Sequence, residues 1–231
     1  MTPPVAGSSP NVSVGDPIME NAMRQRKAPL QRKTSETQIE GSLNIDGTGK
    51  AKIKTPIGLL THMLELFAFH GHFDLELEVK GDTHIDIHHT NEDIGIELGK
   101  AFKKALGDNY LGIKRFGSAF APMESTLGHS VIDINGRGHL NLLLDGKKAG
   151  DMPSISNQGE YTFIYLEHFL ESLAKQLGAT LIVNIQNPGS SGDMHSIAET
   201  AFKSLGMAID QATTIDSRRE GKVPSTKGII D

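Results

Sequence analysis

The chain has 231 residues and a formal net charge of −5; 37% of its residues are hydrophobic, and it has neither tryptophan nor cysteine. The negative charge argues against binding nucleic acid through a basic surface, and no apolar run approaches the roughly 18 residues that cross a membrane. Without cysteine, disulfides and thiolate metal sites are excluded, so metal ligands must be histidine or carboxylate. Ten histidines, six of them between residues 62 and 89, favour such a site.

The first 33 residues are predicted to be a disordered or basic extension. Residues 1–17 are rich in Pro, Ser and Gly and show no periodicity, which is typical of disorder. Residues 19–33 are basic and fit a short helix or part of a targeting segment, but not a secretory signal, because they lack an apolar core. We therefore expect an ordered domain from Thr34 and a cytoplasmic protein, with organellar import through the extension as the alternative.

The next elements are predicted from periodicity. Alternating residues around the turn DGTG (46–49) predict a hairpin. Helical spacing predicts a helix over 58–71. Strict alternation predicts a half-buried strand over 73–82, with one apolar face made of Phe73, Leu75, Leu77 and Val79. The next predicted element is an amphipathic helix over 90–107.

The same order then recurs, with strands at 116–125 and 128–144, a helix at 161–178, a strand at 179–188 and a helix at 195–213. Such an internal repeat predicts an α+β fold of two similar halves. We place these halves at residues 34–128 and 129–231.

The histidines follow the repeat. His62 and His88 are 26 residues apart, His168 and His195 are 27 apart, and a glutamate follows each second histidine by four. Residues four apart share one helix face, and two imidazoles with one carboxylate suit Mn, Fe, Zn or Ni. The spacing predicts two metal sites, one of His62, His88 and Glu92, the other of His168, His195 and Glu199. His89 would point about 100° away from His88 and could reach the other site.

Structural roles are the alternative. Thr90 with Asp93, and Ser196 with Glu199, resemble helix capping boxes, and His62 and His168 could be buried on apolar helix faces. Capping explains neither of these two histidines, so we favour metal ligands.

The end of the chain offers an anion site. Ser225, Thr226 and Lys227 lie beside a glycine and could bind an anion, or they could form a frayed basic tail. Arg115 and Arg137 also lie beside glycines and could be phosphate clamps or surface charges. Neither a Walker sequence nor G-x-G-x-x-G occurs, so nucleotide binding is not indicated.

Six segments, in order over about residues 32–230, resemble the imidazoleglycerol-phosphate dehydratases of histidine biosynthesis: RKTSETQI, LLTHMLELFAFHGHFDL, KGDTHIDIHHTNEDIGIELGKA, ALGDNYLGIKRFG, HSIAETAFKSL and VPSTKG. The resemblance implies a duplicated unit of mostly antiparallel four-stranded sheets with helices on one face, similar to domain 2 of ribosomal protein S5. It also implies trimers that assemble into 24-subunit shells, with two manganese ions at active sites between subunits. The implied reaction converts imidazoleglycerol phosphate, a small phosphate substrate, to imidazoleacetol phosphate.

The resemblance also implies residue roles. One manganese ion would take His62, His88 and Glu92, and the other His168, His195 and Glu199, with His89 crossing over to it. Glu36 matches an acid/base carboxylate and forms the catalytic set with His62, Glu92 and Glu199. The phosphate-binding positions are Arg115, Arg137, Ser225 and Lys227.

Three positions beside the candidate ligands depart from the family pattern, as do the segments TLIV (180–183) and PMES (122–125). Ser196 replaces the second histidine of HHxxE, which leaves the first metal one imidazole short, and Thr61 and Ile87 replace aspartates. Such aspartates can orient ligating imidazoles, and losing them weakens metal binding or activity by about 10–100-fold. We therefore expect one intact and one weakened site. The alternatives are an impaired or inactive paralogue with a structural or regulatory role, and an enzyme of the same fold with another substrate.

Overall fold

The structure is a computed structural model that describes residues 26–107, 110–148, 161–186, 193–219 and 221–230. Its first half comprises β1 (Lys27–Lys33), β2 (Thr37–Asn44), β3 (Ala51–Lys54), α1 (Gly58–His70), β4 (Asp74–Gly81) and α2 (His88–Leu106). Its second half comprises β5 (Phe116–Met123), β6 (Thr126–Asp133), β7 (His139–Leu144), α3 (Phe163–Leu177), β8 (Thr180–Gln186) and α4 (Met194–Thr213). No helix in these ranges is long and apolar enough to cross a membrane.

Each half forms one four-stranded sheet with the same topology. The strand orders are β1-β2-β4-β3 and β5-β6-β8-β7. In each sheet the first three strands in this order pair antiparallel with one another, and the fourth strand pairs parallel with the third. The predicted duplicated α+β fold of mostly antiparallel four-stranded sheets is thereby confirmed. The predicted apolar face of β4 is also confirmed, because Phe73, Leu75, Leu77 and Val79 are all buried.

The predicted hairpin around DGTG is wrong. The chain does turn there, but β4 lies between β2 and β3. The Asp74 carboxylate at the start of β4 accepts hydrogen bonds from the backbone N–H groups of Thr48 (2.8 Å) and Lys50 (3.1 Å), which holds the connection across the end of β4. The short, lysine-bearing β3 then forms the sheet edge, where such strands are tolerated.

Both predicted domain boundaries shift. Residues 27–33 of the predicted extension form β1, whose Ala28 and Leu30 are buried while its lysines face outward. Residues 1–25 lie outside the described part of the chain. The predicted boundary at residue 128 falls inside β6, which pairs with β5 without a break. The halves therefore meet between α2 and β5.

The helices pack between the two sheets, and each helix pair joins the two halves. α2 packs on α3, and α1 packs on α4. Glycine allows the closest approach, because a Cβ on Gly95 or Gly99 of α2 would lie 2.6 Å from a carbonyl oxygen of α3, that of Phe169 or Leu173. This cross-pairing decides which ligand candidates meet.

The capping boxes are also corrected. α2 begins at His88, so Thr90 lies inside the helix, and Asp93 bonds to Thr37 and Arg32 instead of capping. The N-cap of α4 is Asp193, whose side chain accepts a hydrogen bond from the Ser196 N–H at 2.7 Å. The glutamates and histidines on these first turns are thus available for other contacts.

Candidate metal centres and active site

The first group of ligand candidates lies between α1 and α4. His195 Nε2 is 3.1 Å from Glu199 Oε2, and His62 Nε2 is 3.9 Å from the same oxygen. One donor atom from each of the three residues lies within 4.8 Å of the others. We call these residues the α1/α4 cluster; two imidazoles and one carboxylate at this spacing can bind a divalent metal.

Lys203 supports this cluster from one turn further along α4. Its ammonium group donates to Glu199 Oε1, leaving Oε2 to the two imidazoles. Burial alone would raise the pKa of Glu199, but the Lys203 hydrogen bond and charge, with His195 and His62, outweigh it and lower that pKa below its ordinary value. Glu199 is therefore held as a carboxylate. The sequence signal that could have revealed Lys203 is its i+4 spacing from Glu199.

The second group lies between α2 and α3. His88 Nε2 is 3.1 Å from Glu92 Oε2, and the rings of His88 and His168 are 4.6 Å apart between centroids. All three residues line a cavity of about 250 Å³. Nδ1 of His168 is buried and has no hydrogen-bond partner among the described residues. Buried polar atoms of this kind commonly bind a water molecule or a ligand. We call these residues the α2/α3 cluster.

The predicted ligand triplets are regrouped by this geometry. His62 meets His195 and Glu199, and His168 meets His88 and Glu92, so each cluster combines both halves of the chain. The reason is the helix pairing, because α1 packs on α4 and α2 packs on α3. Within one chain, therefore, the predicted triplets are not brought together as such, and the assignment of ligands to sites between subunits stays a prediction.

His89 points away from His88, as the helical spacing predicted. Its Nδ1 lies 3.6 Å from both Glu36 Oε2 and Asp82 Oδ2, and these three residues form a second set of donor atoms within 4.8 Å. Asp82, which was missed in the sequence, has a buried Oδ1 without a hydrogen-bond partner in the described ranges. Its backbone N–H donates to the Glu36 carbonyl at 3.1 Å, so the two carboxylates are held side by side.

The loop that carries Glu36 is fixed to α2. Thr34 Oγ1 accepts hydrogen bonds from the N–H groups of Glu36 (3.1 Å) and Thr37 (2.9 Å). Thr37 Oγ1 in turn donates to Asp93 of α2, which also pairs with Arg32 at 2.8 Å. This network sets the position of Glu36 relative to the helix that carries His88 and His89.

The three departures from the family pattern sit beside these clusters. Ile87 is buried in the hydrophobic core, and Thr61 Oγ1 lies 2.9 Å from Thr55 Oγ1. Neither gives an imidazole a hydrogen bond within the described residues. Ser196 follows His195 as His89 follows His88, so it occupies the position on α4 that corresponds to His89 on α2.

The predicted phosphate-binding residues lie elsewhere. Arg137 and Lys227 are exposed and Ser225 is half-buried, whereas Arg115 pairs with Asp133. No hydrogen bond or ion pair in the described part of the chain joins any of the four to a histidine cluster.

Comparison with known proteins decides the family. The imidazoleglycerol-phosphate dehydratase family model matches residues 55–209. The chain belongs to the imidazoleglycerol-phosphate dehydratase family. The family's enzyme from Geobacillus kaustophilus is 47% identical over 205 residues, which cover 89% of this chain and 99% of that one. The enzyme from Bacillus subtilis is 46% identical over 205 residues, covering 89% and 100%.

Solved structures of the family agree. The dehydratase from Pyrococcus furiosus, in complex with (S)-C348, aligns with a TM-score of 0.69 at 33% identity over 86% of this chain and 99% of that one. The enzyme from Staphylococcus aureus aligns with a TM-score of 0.68 at 28% identity, covering 82% and 99%. The fold is therefore that of the family.

Proposed function

We propose that this chain dehydrates imidazoleglycerol phosphate to imidazoleacetol phosphate in the cytoplasmic synthesis of histidine. Family membership supports the reaction. The observation that carries the proposal to this chain is that the α1/α4 and α2/α3 clusters each bring together two imidazoles and one glutamate, with residues from both halves. Helix packing alone does not account for two such clusters, because packed helix faces are usually apolar.

Manganese is the proposed cofactor, held by the two clusters. Histidine and carboxylate ligands without thiolate suit it. The ionised Glu199 can bind a cation, and the buried Nδ1 of His168, which has no hydrogen-bond partner in the described part of the chain, is available to bind one as well. When bound, two manganese ions would orient the imidazole ring of the substrate and stabilise the negative charge that develops during proton removal.

Glu36 is the proposed acid/base. Its carboxylate is exposed and is held beside His89 and Asp82, so it can reach a bound substrate. It would accept the proton from the carbon that loses hydrogen and return a proton to the hydroxyl that leaves as water. The Thr34–Thr37–Asp93 network keeps this carboxylate in place.

The phosphate group is proposed to bind the exposed cations Arg137 and Lys227 with the hydroxyl of Ser225, as charge-assisted hydrogen bonds. These residues do not contact the clusters within one described chain. We infer that a neighbouring subunit brings the two parts of the site together, and that Ser196 of the partner subunit stands where the family places a third imidazole.

Self-assembly into trimers and a 24-subunit shell is supported by the outer face of the second sheet. Phe116, Phe120 and Ile182 expose 58%, 60% and 40% of their surface there, and Val131 lies between Ser118 and Ile182 in the cross-strand register. Large exposed apolar side chains grouped on one sheet face are typical of an interaction surface. We propose that neighbouring subunits cover it.

An activity assay with added manganese tests the proposal. We expect turnover of imidazoleglycerol phosphate, and a loss of about 10²–10⁴-fold for Glu36→Gln, the usual contribution of a positioned acid/base. The matched control is Glu40→Gln, because Glu40 is an exposed glutamate on the outer face of β2. The turnover rate of this variant should equal that of the unmodified chain. Absence of turnover in the unmodified chain would overturn the proposal and favour an inactive paralogue with a structural or regulatory role.

A further inference from the structure

The first turn of α2, which carries His88, is held from outside the helix. Ile87 is the N-cap residue, and its apolar side chain is buried in the core and makes no hydrogen bond to the free N–H groups of the turn. Asp86 supplies such a bond instead, because its Oδ1 accepts from the His88 N–H at 2.8 Å, a local contact that aspartate commonly makes two residues on. The position of Asp86 therefore bears on the backbone of His88.

Tyr165 of α3 holds Asp86 from the facing helix. Its hydroxyl donates to the same Oδ1 at 2.9 Å, although 79 residues separate the two in the sequence. A second contact lies deeper between the helices, where the fully buried Asn91 of α2 donates from Nδ2 to the Tyr165 carbonyl at 2.8 Å. Asn91 Oδ1 accepts from the Tyr161 hydroxyl at 3.0 Å. The starts of α2 and α3 are thus joined at two levels, and Tyr165 takes part in both.

The ring of Tyr165 also borders the α2/α3 cluster. Its centroid lies 6.2 Å from that of His88 with the planes at 65°, an edge-to-face contact. The His168 ring lies 4.6 Å from the same imidazole. Tyr165 and His168 are three residues apart on α3 and so share one face of that helix. The His88 imidazole therefore contacts both rings that α3 presents to it.

We propose that Tyr165 is a positioning residue for the α2/α3 cluster, and that its hydroxyl, through Asp86, holds His88 in the orientation that a metal ion requires. Ile87 gives no imidazole a hydrogen bond within the described residues, so this support comes from Asp86 and Tyr165. Groups that orient a ligating imidazole commonly change metal affinity by about 10–100-fold. The inference rests on the proposed function only for the identity of the metal.

A manganese titration of the full chain tests the inference. Tyr165→Phe keeps the ring and removes only the hydroxyl, so the affinity for one of the two manganese ions should fall by about 10–100-fold while the other stays unchanged. The matched control is Tyr110→Phe, which removes the hydroxyl of a buried tyrosine beyond the opposite end of α2. Both affinities should stay unchanged in this control. Unchanged affinities in Tyr165→Phe would overturn the inference.

Two variants at Asp86 separate positioning from a general loss of stability. Asp86→Asn keeps an oxygen that can accept from Tyr165 and His88, and it should bind manganese about as tightly as the unmodified chain. Asp86→Ala should lose at least as much affinity as Tyr165→Phe. Because both residues act through one contact, adding Tyr165→Phe to Asp86→Ala should cause little further loss. Fully additive losses would show that Tyr165 does not act through Asp86 and would reject the inference.

Turnover measured on the same samples separates this inference from the proposed function. A chain that binds two manganese ions, loses affinity for one of them in Tyr165→Phe and forms no product would reject the proposed function and retain the inference. A chain that forms product while Tyr165→Phe keeps both affinities would retain the proposed function and reject the inference. An unmodified chain that binds no manganese would also reject the inference.

Discussion

The two halves of the chain share one topology but surround their glutamates differently. Glu199 exposes only 9% of its side chain and is held by Lys203, whereas Glu92 exposes 44% and has Ile96 at the corresponding i+4 position. The outer faces of the sheets differ in the same way. The second sheet presents Phe116, Phe120 and Ile182, and the first presents charged residues at its exposed positions: Glu40, Lys52, Lys54, Glu76 and Glu78.

This difference teaches that the repeat conserves helix pairing and ligand spacing while the groups around each ligand are free to diverge. One carboxylate is buried and ion-paired, and one sheet face carries large exposed apolar side chains. The two clusters are therefore expected to differ in metal affinity, and the two sheet faces are expected to differ in what they bind.

The grouping of ligands across halves gives the largest expected effect. Because His62 and Glu199 belong to one cluster, His62→Ala with Glu199→Gln should leave one metal bound, while His62→Ala with Glu92→Gln should leave none. Each double variant should lose more activity than the roughly 10–100-fold caused by outer-shell changes. Metal content per chain is the measurement. If the two double variants bind the same number of metal ions per chain, the grouping of His62 with Glu199 instead of Glu92 is contradicted.

The second effect concerns the sheet faces. Phe120→Ser should weaken self-association by about 2 kcal/mol or more, as for a central aromatic residue in an interface. Glu78→Ser, at an exposed position of the first sheet, is the matched control and should assemble normally. Sedimentation velocity measures both. If both variants assemble like the unmodified chain, the apolar face is not the contact surface.

Ser196→His should then sharpen the difference between the two metal sites. Restoring an imidazole at this position should tighten the weaker metal by about tenfold or more, comparable to the effect of losing supporting groups around a metal. Gln211→His, at an exposed position near the end of α4, controls for a histidine added to the same helix. A manganese titration in which both variants match the unmodified chain would contradict the assignment of Ser196.

The last difference between the two clusters concerns Lys203. Its hydrogen bond lowers the pKa of the buried Glu199, so the pair stabilises the fold above the ordinary carboxyl pKa, and this stability is lost as pH falls through the lowered folded-state value. Lys203→Met should therefore cost about 1–3 kcal/mol at pH 7, the range for a hydrogen bond to a charged group, and progressively less as Glu199 becomes protonated. Urea unfolding of the metal-free chain at several pH values measures this.

The control for this variant is Lys175→Met on α3. Lys175 pairs with Glu171 at 2.7 Å, but both side chains are exposed, and such surface pairs contribute at most about 1 kcal/mol. The account is contradicted if Lys203→Met lowers the free energy of unfolding no more than Lys175→Met does, or if its effect does not change with pH. Either result would show that Lys203 does not stabilise the Glu199 carboxylate.

Local periodicity predicted much of this fold. The alternation in β4, the helical spacing of α1 to α4 and the recurrence of both showed which residues face the core, because each element repeats its own period. Periodicity carries no information on which elements become neighbours. The sequence therefore did not show that β4 separates β2 from β3, or that α1 packs on α4.

The same limit applies to the candidate site. His88 with Glu92 and His195 with Glu199 could be paired from spacing alone, because both members lie on one helix. The neighbours of His62 and His168 within one chain depend on contacts between the halves, so spacing alone could not show which histidine–glutamate pair each of them meets. Asp82 was missed because it meets His89 through the fold, and Lys203 was missed although its spacing from Glu199 was visible.

The most direct test is to measure turnover and metal content on one sample of the full chain after addition of manganese. We expect two manganese ions per chain, one in each histidine–glutamate cluster, together with formation of imidazoleacetol phosphate. A chain that binds no more than one ion and forms no product would contradict a working pair of metal centres.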